Sequence, residues 1–161
     1  MSAEPKSLAA TIYASWETYQ GQLITALTPL TPEQLAWRPA EGLRSLGQLA
    51  THIVSVRAGW FYFDLGEQDP TIRAIAEWGE PGAPPRTAAE FVEALHTTWA
   101  FMQGCIARWT PADLAEVIEP PGEDYKITRA WVIWHLIEHD LHHGGELSYS
   151  LGIQGLPAID I

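Results

Sequence analysis

Four of the six histidines crowd into one stretch, Trp134-His135-Leu136-Ile137-Glu138-His139-Asp140-Leu141-His142-His143. In a helix four residues nearly complete a turn, so His135, His139 and His143 project from one face, with Glu146 on the same side. Imidazoles at i and i+4 can share one divalent ion, because they leave neighbouring turns in the same direction. The chemistry requires neutral rings at about 2.0–2.1 Å from the ion. Two donors on one rigid helix lower the entropy lost in closing such a site. A third donor has to come from elsewhere, and His52 is the candidate. It shares the expected core face of its helix with Leu49, Val56 and Phe63, and a buried imidazole without a partner is costly. The competing reading is plain: a core histidine held by a hydrogen bond, and a histidine pair that binds nothing. The residue after His139 is Asp140, so the HExxH protease motif is absent. His142 falls on a polar arc with Glu138, Gly145 and Tyr149, which points to solvent.

Other residues have two readings as well. Glu146 can orient a ligand histidine or act as a catalytic base, or it can simply face solvent at the end of its helix. Trp60, Trp134 and Tyr13 can line an apolar pocket, or they can be core. Cys105 lies among Gly104, Ile106 and Ala107 with no base nearby in sequence, which marks a structural cysteine and not a nucleophile.

The elements that position these groups are helical almost throughout. The first long helix runs from Ser7 to Leu27, with Leu8, Ile12, Trp16, Tyr19, Leu23 and Leu27 on one face. The second opens at a capping box, Ser45 with Gln48, and stops near Leu65 before Gly66. The third opens at Thr87 with Glu90 and carries Phe91, Leu95, Trp99, Met102 and Ile106 as a stripe. The fourth runs from Thr128 to Leu151. Between the second and third, Pro70, Pro81, Pro84 and Pro85 mark a long connection with one short helix around Ile72 to Trp78. Ala115 to Ile118 is the best strand candidate. A weak repeat, Thr31-Pro32-Glu33-Gln34-Leu35-Ala36 and Thr110-Pro111-Ala112-Asp113-Leu114-Ala115, predicts a capped short helix after each odd-numbered long helix. On the fourth helix, Ala130, Ile133, Trp134, Ile137 and Leu141 form an apolar arc away from the histidines. That arc predicts a central position or a subunit interface.

The bulk composition narrows the function classes. A chain of 161 residues fits one domain, residues 1–161, and can bury a core unaided. With 47% apolar and 18% charged residues it is a globular chain, not a disordered one. Its net charge is −11, with nine Lys and Arg, which argues against nucleic acid and anionic membrane as partners. The single cysteine allows no internal disulfide and suits a reducing cytoplasm. Met1 to Lys6 lacks a signal-peptide pattern, and no apolar run is long enough to span a bilayer.

The string His139-Asp140-Leu141-His142-His143-Gly144-Gly145-Glu146-Leu147 resembles the H-x-x-H-H-x-G-[EQ]-[LIV] signature of the DinB/YfiT-like metalloenzyme family. Trp134-His135 and Leu49-Ala50-Thr51-His52-Ile53 match as well, and so does the order of elements over nearly the whole chain. The resemblance implies an all-α four-helix bundle of up-down-down-up topology, often a homodimer. It implies a three-histidine divalent metal site, with His52, His139 and His143 as ligands carried over position by position; His135 matches a frequent family histidine without an assigned role. Imidazole donors suit zinc and nickel first, with iron as an alternative and copper also compatible. Relatives include S-transferases acting on low-molecular-weight thiols such as bacillithiol or mycothiol. The expected function is therefore a metal-dependent thiol transferase or hydrolase acting on a small molecule, with Glu146 as the catalytic candidate. The alternative is a non-catalytic metal or small-ligand binding protein.

Overall fold

The computed structural model describes residues 7–159; Met1 to Lys6, where no signal pattern is read, lie outside the described residues. Four long helices carry the fold: α1 (Leu8–Leu27), α3 (Leu46–Gly59), α5 (Ala88–Arg108) and α7 (Arg129–Ile153). Between them come the short helices α2 (Pro32–Ala36), α4 (Pro70–Ala76) and α6 (Pro111–Ala115). A single 3-10 turn, Glu77–Gly79, follows α4. Strand β1 (Val117–Ile118) pairs antiparallel with β2 (Ile127–Thr128), closing the connection from α6 to α7.

Side chains set these boundaries. Thr31, Ser45, Thr87 and Thr110 each cap a helix through a reciprocal box with Gln34, Gln48, Glu90 and Asp113. Each box satisfies donors that a helix start leaves orphaned, which fixes where the helix begins. The weak sequence repeat is thus real at the level of caps: α2 and α6 are both five-residue helices opened by Thr-Pro.

Contact registers give the direction of each helix. Glu17 meets Gln103 and Gln20 meets the Leu95 carbonyl, so α1 and α5 run antiparallel. Trp16 meets Asp140 and Tyr19 lies against Gly144, so α1 and α7 run parallel. His52 meets His143 while Trp60 meets Trp131, so α3 and α7 run antiparallel. The order is up-down-down-up.

After Gly59 the second long helix widens into a π turn, Trp60–Asp64, in which the Leu65 N–H donates to the Trp60 carbonyl at 2.9 Å. A wider turn holds extra backbone before it closes, so side chains beyond Trp60 fall off the periodicity of α3. This corrects the expected core face. Phe61 is fully buried, whereas Phe63, expected inward with His52, is 52% exposed.

The core has two parts. One gathers Leu23, Leu27, Leu49, Ile53, Phe91 and Leu147; the other gathers Trp16, Phe61, Trp99, Met102, Val132 and Leu136. Near their junction stand Arg57 and Asp140, both fully buried, with buried Gln20 beside them. Among the described residues no helix is long and apolar enough to cross a membrane.

Candidate metal centre

Antiparallel α3 and α7 bring His52 against His139 and His143. The ring centroids lie 4.8 Å apart for His52 and His139, 4.5 Å for His52 and His143, and 4.5 Å for His139 and His143. The Nε2 atoms of His52 and His139 face each other at 3.2 Å. One donor atom from each of the three rings lies within 4.8 Å of the other two. Nitrogens bound to one ion at about 2.0–2.1 Å sit roughly 3–3.5 Å apart, so small side-chain movements close the set.

Burial sets the protonation of two of these rings. His52 is held down at about 4, chiefly by desolvation, then by the Arg44 charge and by His143. His139 is held down at about 3, again chiefly by desolvation, then by His143 and His52. Both rings are therefore neutral at pH 7, which is the form that ligates metal.

Glu146 keeps features of both its readings. Its carboxylate lies 2.7 Å from Nδ1 of His143. That hydrogen bond is the largest cause of its lowered pKa, so the group is ionised and accepts. The proton then sits on Nδ1, and the Nε2 lone pair is free for the cluster. A carboxylate behind a histidine in this way fixes the ring's tautomer and orientation. Glu146 remains exposed at the same time. By contrast, Nδ1 of His139 is buried with no hydrogen-bond partner among the described residues.

Behind the histidines runs a polar layer that sequence reasoning missed. Asp140 follows His139 on α7, about 100° further round the helix, and turns into the core. It accepts from Trp16 Nε1 at 2.7 Å, from Arg57 Nε at 3.0 Å and from Arg57 Nη2 at 2.6 Å. Arg57 Nη1 donates to Gln20 Oε1 at 2.6 Å, and Gln20 Nε2 donates to the Leu95 carbonyl at 2.9 Å. The layer thus joins α1, α3, α5 and α7 directly beside His139, on which the Arg57 charge acts. One signal was available: Arg57 is the lone Asp, Glu, Lys or Arg between Leu46 and Phe63.

The remaining candidates separate. His135 stays off the cluster, its ring 6.0 Å from that of His139. It stacks on Trp131 at 5.0 Å and its Nδ1 faces Glu138 at 3.0 Å. His142 is exposed; with His143 and Glu146 it forms a second possible ligand group, shallow and mostly open to water. Trp60 packs edge-on against His135, but Trp134 is 57% exposed and Tyr13 packs with Trp16 and Trp99 in the second core. Those three aromatics do not form one pocket. Cys105 is fully buried and burial pushes its thiol pKa up, away from nucleophilic use.

Comparisons with known proteins identify the fold and the family. The fold is similar to that of a DinB-like protein from Bacillus cereus, with a TM-score of 0.69 and 22% identity over 93% of this chain and 95% of that one. It is also similar to a DinB-like protein from Bacillus subtilis, with a TM-score of 0.67 and 16% identity over 94% and 96%. No curated protein matches the chain. The sequence profile of the DinB superfamily matches residues 15–147, a span that contains all three histidines. The chain belongs to the DinB superfamily.

Proposed function

We propose that this DinB-superfamily chain is a metal-dependent enzyme whose divalent ion is held by His52, His139 and His143. The observation that carries the reading is the convergence of three imidazoles from two helices. Among the described residues no other His, Cys, Asp or Glu joins that group. Three protein donors leave a coordination position for water, a thiol or a substrate. The donor chemistry suits zinc or nickel first, then iron.

A bound divalent cation supplies a hydroxide or thiolate nucleophile near neutral pH. The chain's own residues do the rest. His52 and His139 stay neutral because burial disfavours their protonated forms. Glu146 keeps the proton of His143 on Nδ1, and in this reading its exposed carboxylate also takes the proton released by a thiol or water. The reactions that fit are thiol S-transfer to an electrophile and hydrolysis of a small ester or amide. The catalytic residue in this reading is Glu146.

The exposed part of α7 supports a further element of the proposal, a homodimer. Trp131, Trp134 and Leu141 are each about half exposed, beside half-buried Ile133 and Ile137. Such a patch is unusual on a monomer. Light scattering at micromolar concentration should give twice the chain mass. The buried, unpaired Cys105 fits a reducing compartment, so the reading places the protein in the cytoplasm.

The decisive experiment is metal analysis of protein purified without a histidine tag, followed by assays of loaded and stripped protein. About one divalent ion per chain is expected, with thiol-transfer or hydrolytic rates that vanish on stripping. Metal bound without any difference in rate would favour a non-catalytic binding protein, and no metal would end both readings.

A further inference from the structure

Eight of the nine basic residues are described, and six of these pair with a carboxylate. Arg38 and Arg44 form no ion pair among the described residues. In a chain of net charge −11, carboxylates are abundant, so two guanidiniums without an ion pair are the exception; Arg38 Nη1 donates to the Leu43 carbonyl at 3.4 Å. Both line the same cavity, of about 1100 Å³, between α2, the start of α3 and the loop around Pro81 to Pro85. Its charged side chains are Arg38, Arg44, Arg86 and Glu80, three cations against one anion. Arg86 is held in place, its guanidinium over the Trp78 ring at 4.4 Å and its Nη1 3.2 Å from Glu90. With the Arg86 charge matched by Glu90, Arg38 and Arg44 face Glu80 alone among the carboxylates that line the cavity, so this concave surface keeps a net positive lining in a strongly acidic protein.

That region reaches the candidate metal centre. His52 lines the cavity and is also one of the three clustered imidazoles. Arg44 lines the cavity together with His52, and its charge acts on both His52 and Glu146. The volume is of the order that holds a small organic molecule. Arginine presents a planar fork of donors that matches a carboxylate or a phosphate.

We infer that the small molecule handled at the histidine centre carries an anionic group, a carboxylate or a phosphate, which Arg38 and Arg44 hold in this cavity while its reactive end reaches His52. The inference rests on the reading of the three histidines as a metal site, and it assigns that site a substrate class. Because both arginines are exposed, the attraction weakens as salt rises.

The experiment has two arms. In the first, cobalt(II)-loaded protein is titrated with mercaptosuccinate and with 2-mercaptoethanol, and thiolate binding is followed by the sulfur-to-cobalt absorption band. Mercaptosuccinate should bind on the order of 10-fold more tightly than the neutral thiol, as expected for one or two charged hydrogen bonds. The doubly substituted Arg38→Ala, Arg44→Ala protein should lose that preference and keep its affinity for mercaptoethanol and cobalt. Arg38→Lys with Arg44→Lys should keep part of it. In the second arm, metal-free protein is titrated calorimetrically with succinate and with inorganic phosphate. Binding by the native chain that disappears in the doubly substituted alanine protein supports the anion site even if cobalt never binds, which separates this inference from the metal reading. The preferred probe identifies the anion. Equal binding of the anionic probes by native and alanine-substituted proteins, or no binding by either, overturns the inference.

Discussion

His52, His139 and His143 form a triangle of rings with centroids 4.8, 4.5 and 4.5 Å apart, so each is a full member of the cluster. His139→Ala should therefore abolish tight metal binding, while His135→Ala, whose ring stacks on Trp131 instead, should leave it nearly intact. A chelator-competition titration of both variants checks this, and equal losses would mean that the wrong i, i+4 pair had been chosen. Besides its proposed role as a base, Glu146 acts on the cluster through His143 Nδ1. Glu146→Gln keeps the size but loses the charge that fixes the tautomer, so metal affinity should fall by roughly 10-fold or more. An affinity unchanged in Glu146→Gln would reduce Glu146 to a surface carboxylate. At this scale the sequence was informative where chemistry has a spacing. The i, i+4 rule placed His139 and His143 together, and the wheel put His142 in water, where it lies. Spacing could not separate His135 from His143, because both flank His139 equally. What decides between them is α3, which crosses α7 at His143 and presents Trp60 to His135.

Helices α1 and α7 approach so closely at Gly144 that a Cβ there would lie 2.8 Å from Tyr19 Cζ and closer still to its hydroxyl oxygen. Gly145, the next residue, has nothing within 4 Å of such a Cβ. Gly144→Ala should then destabilise the protein by about 1–3 kcal/mol through overpacking. Gly145→Ala should stabilise it by up to about 1 kcal/mol, because alanine loses less entropy in a helix. Urea denaturation of the two variants is the check, and opposite signs are expected. The polar layer gives a second contrast between α3 and α7. Asp140→Ala strands the buried Arg57 guanidinium and should cost about 3–5 kcal/mol, whereas Arg57→Met combined with Asp140→Leu should recover most of that loss. A double substitution as unstable as the single one would mean that the layer positions the helices in a way apolar packing cannot replace. Helix starts were legible to within a residue at Ser45, Thr87 and Thr128, because caps are local chemistry. The polar layer was not, since its members come from α1, α3 and α7 and meet only once those helices pack. The π turn was equally hidden: nothing in Trp60-Phe61-Tyr62-Phe63 breaks helical periodicity, and the lost face of Phe63 follows from the backbone alone.

The whole molecule couples its stability to pH through the same histidines. In the unfolded chain His52 and His139 titrate near the ordinary value of about 6.5. In the folded, metal-free chain they titrate at about 4 and about 3. Between these limits the unfolded state binds more protons, so stability rises with pH across the window. The contribution of the two neutral rings is complete above about pH 6.5 and is lost progressively as pH falls toward 3. Burial is the leading cause in both, so the loss should persist in high salt, where an effect of surface charge would fade. A bound metal would add to the slope, since an ion held only by the folded state stabilises it and competes with protons for the same nitrogens. Thermal unfolding should be followed from pH 7.5 to 5 with and without a strong chelator. The chelated protein should hold its stability down to about pH 6.5 and lose it progressively below, and the metal-loaded protein should start higher and fall more steeply. His52→Gln combined with His139→Gln should flatten the chelated curve and abolish the difference made by metal. If the double variant kept the slope of the native chain, the acid sensitivity would belong to other groups, and the neutral histidine cluster would lose its place as the link between fold and metal.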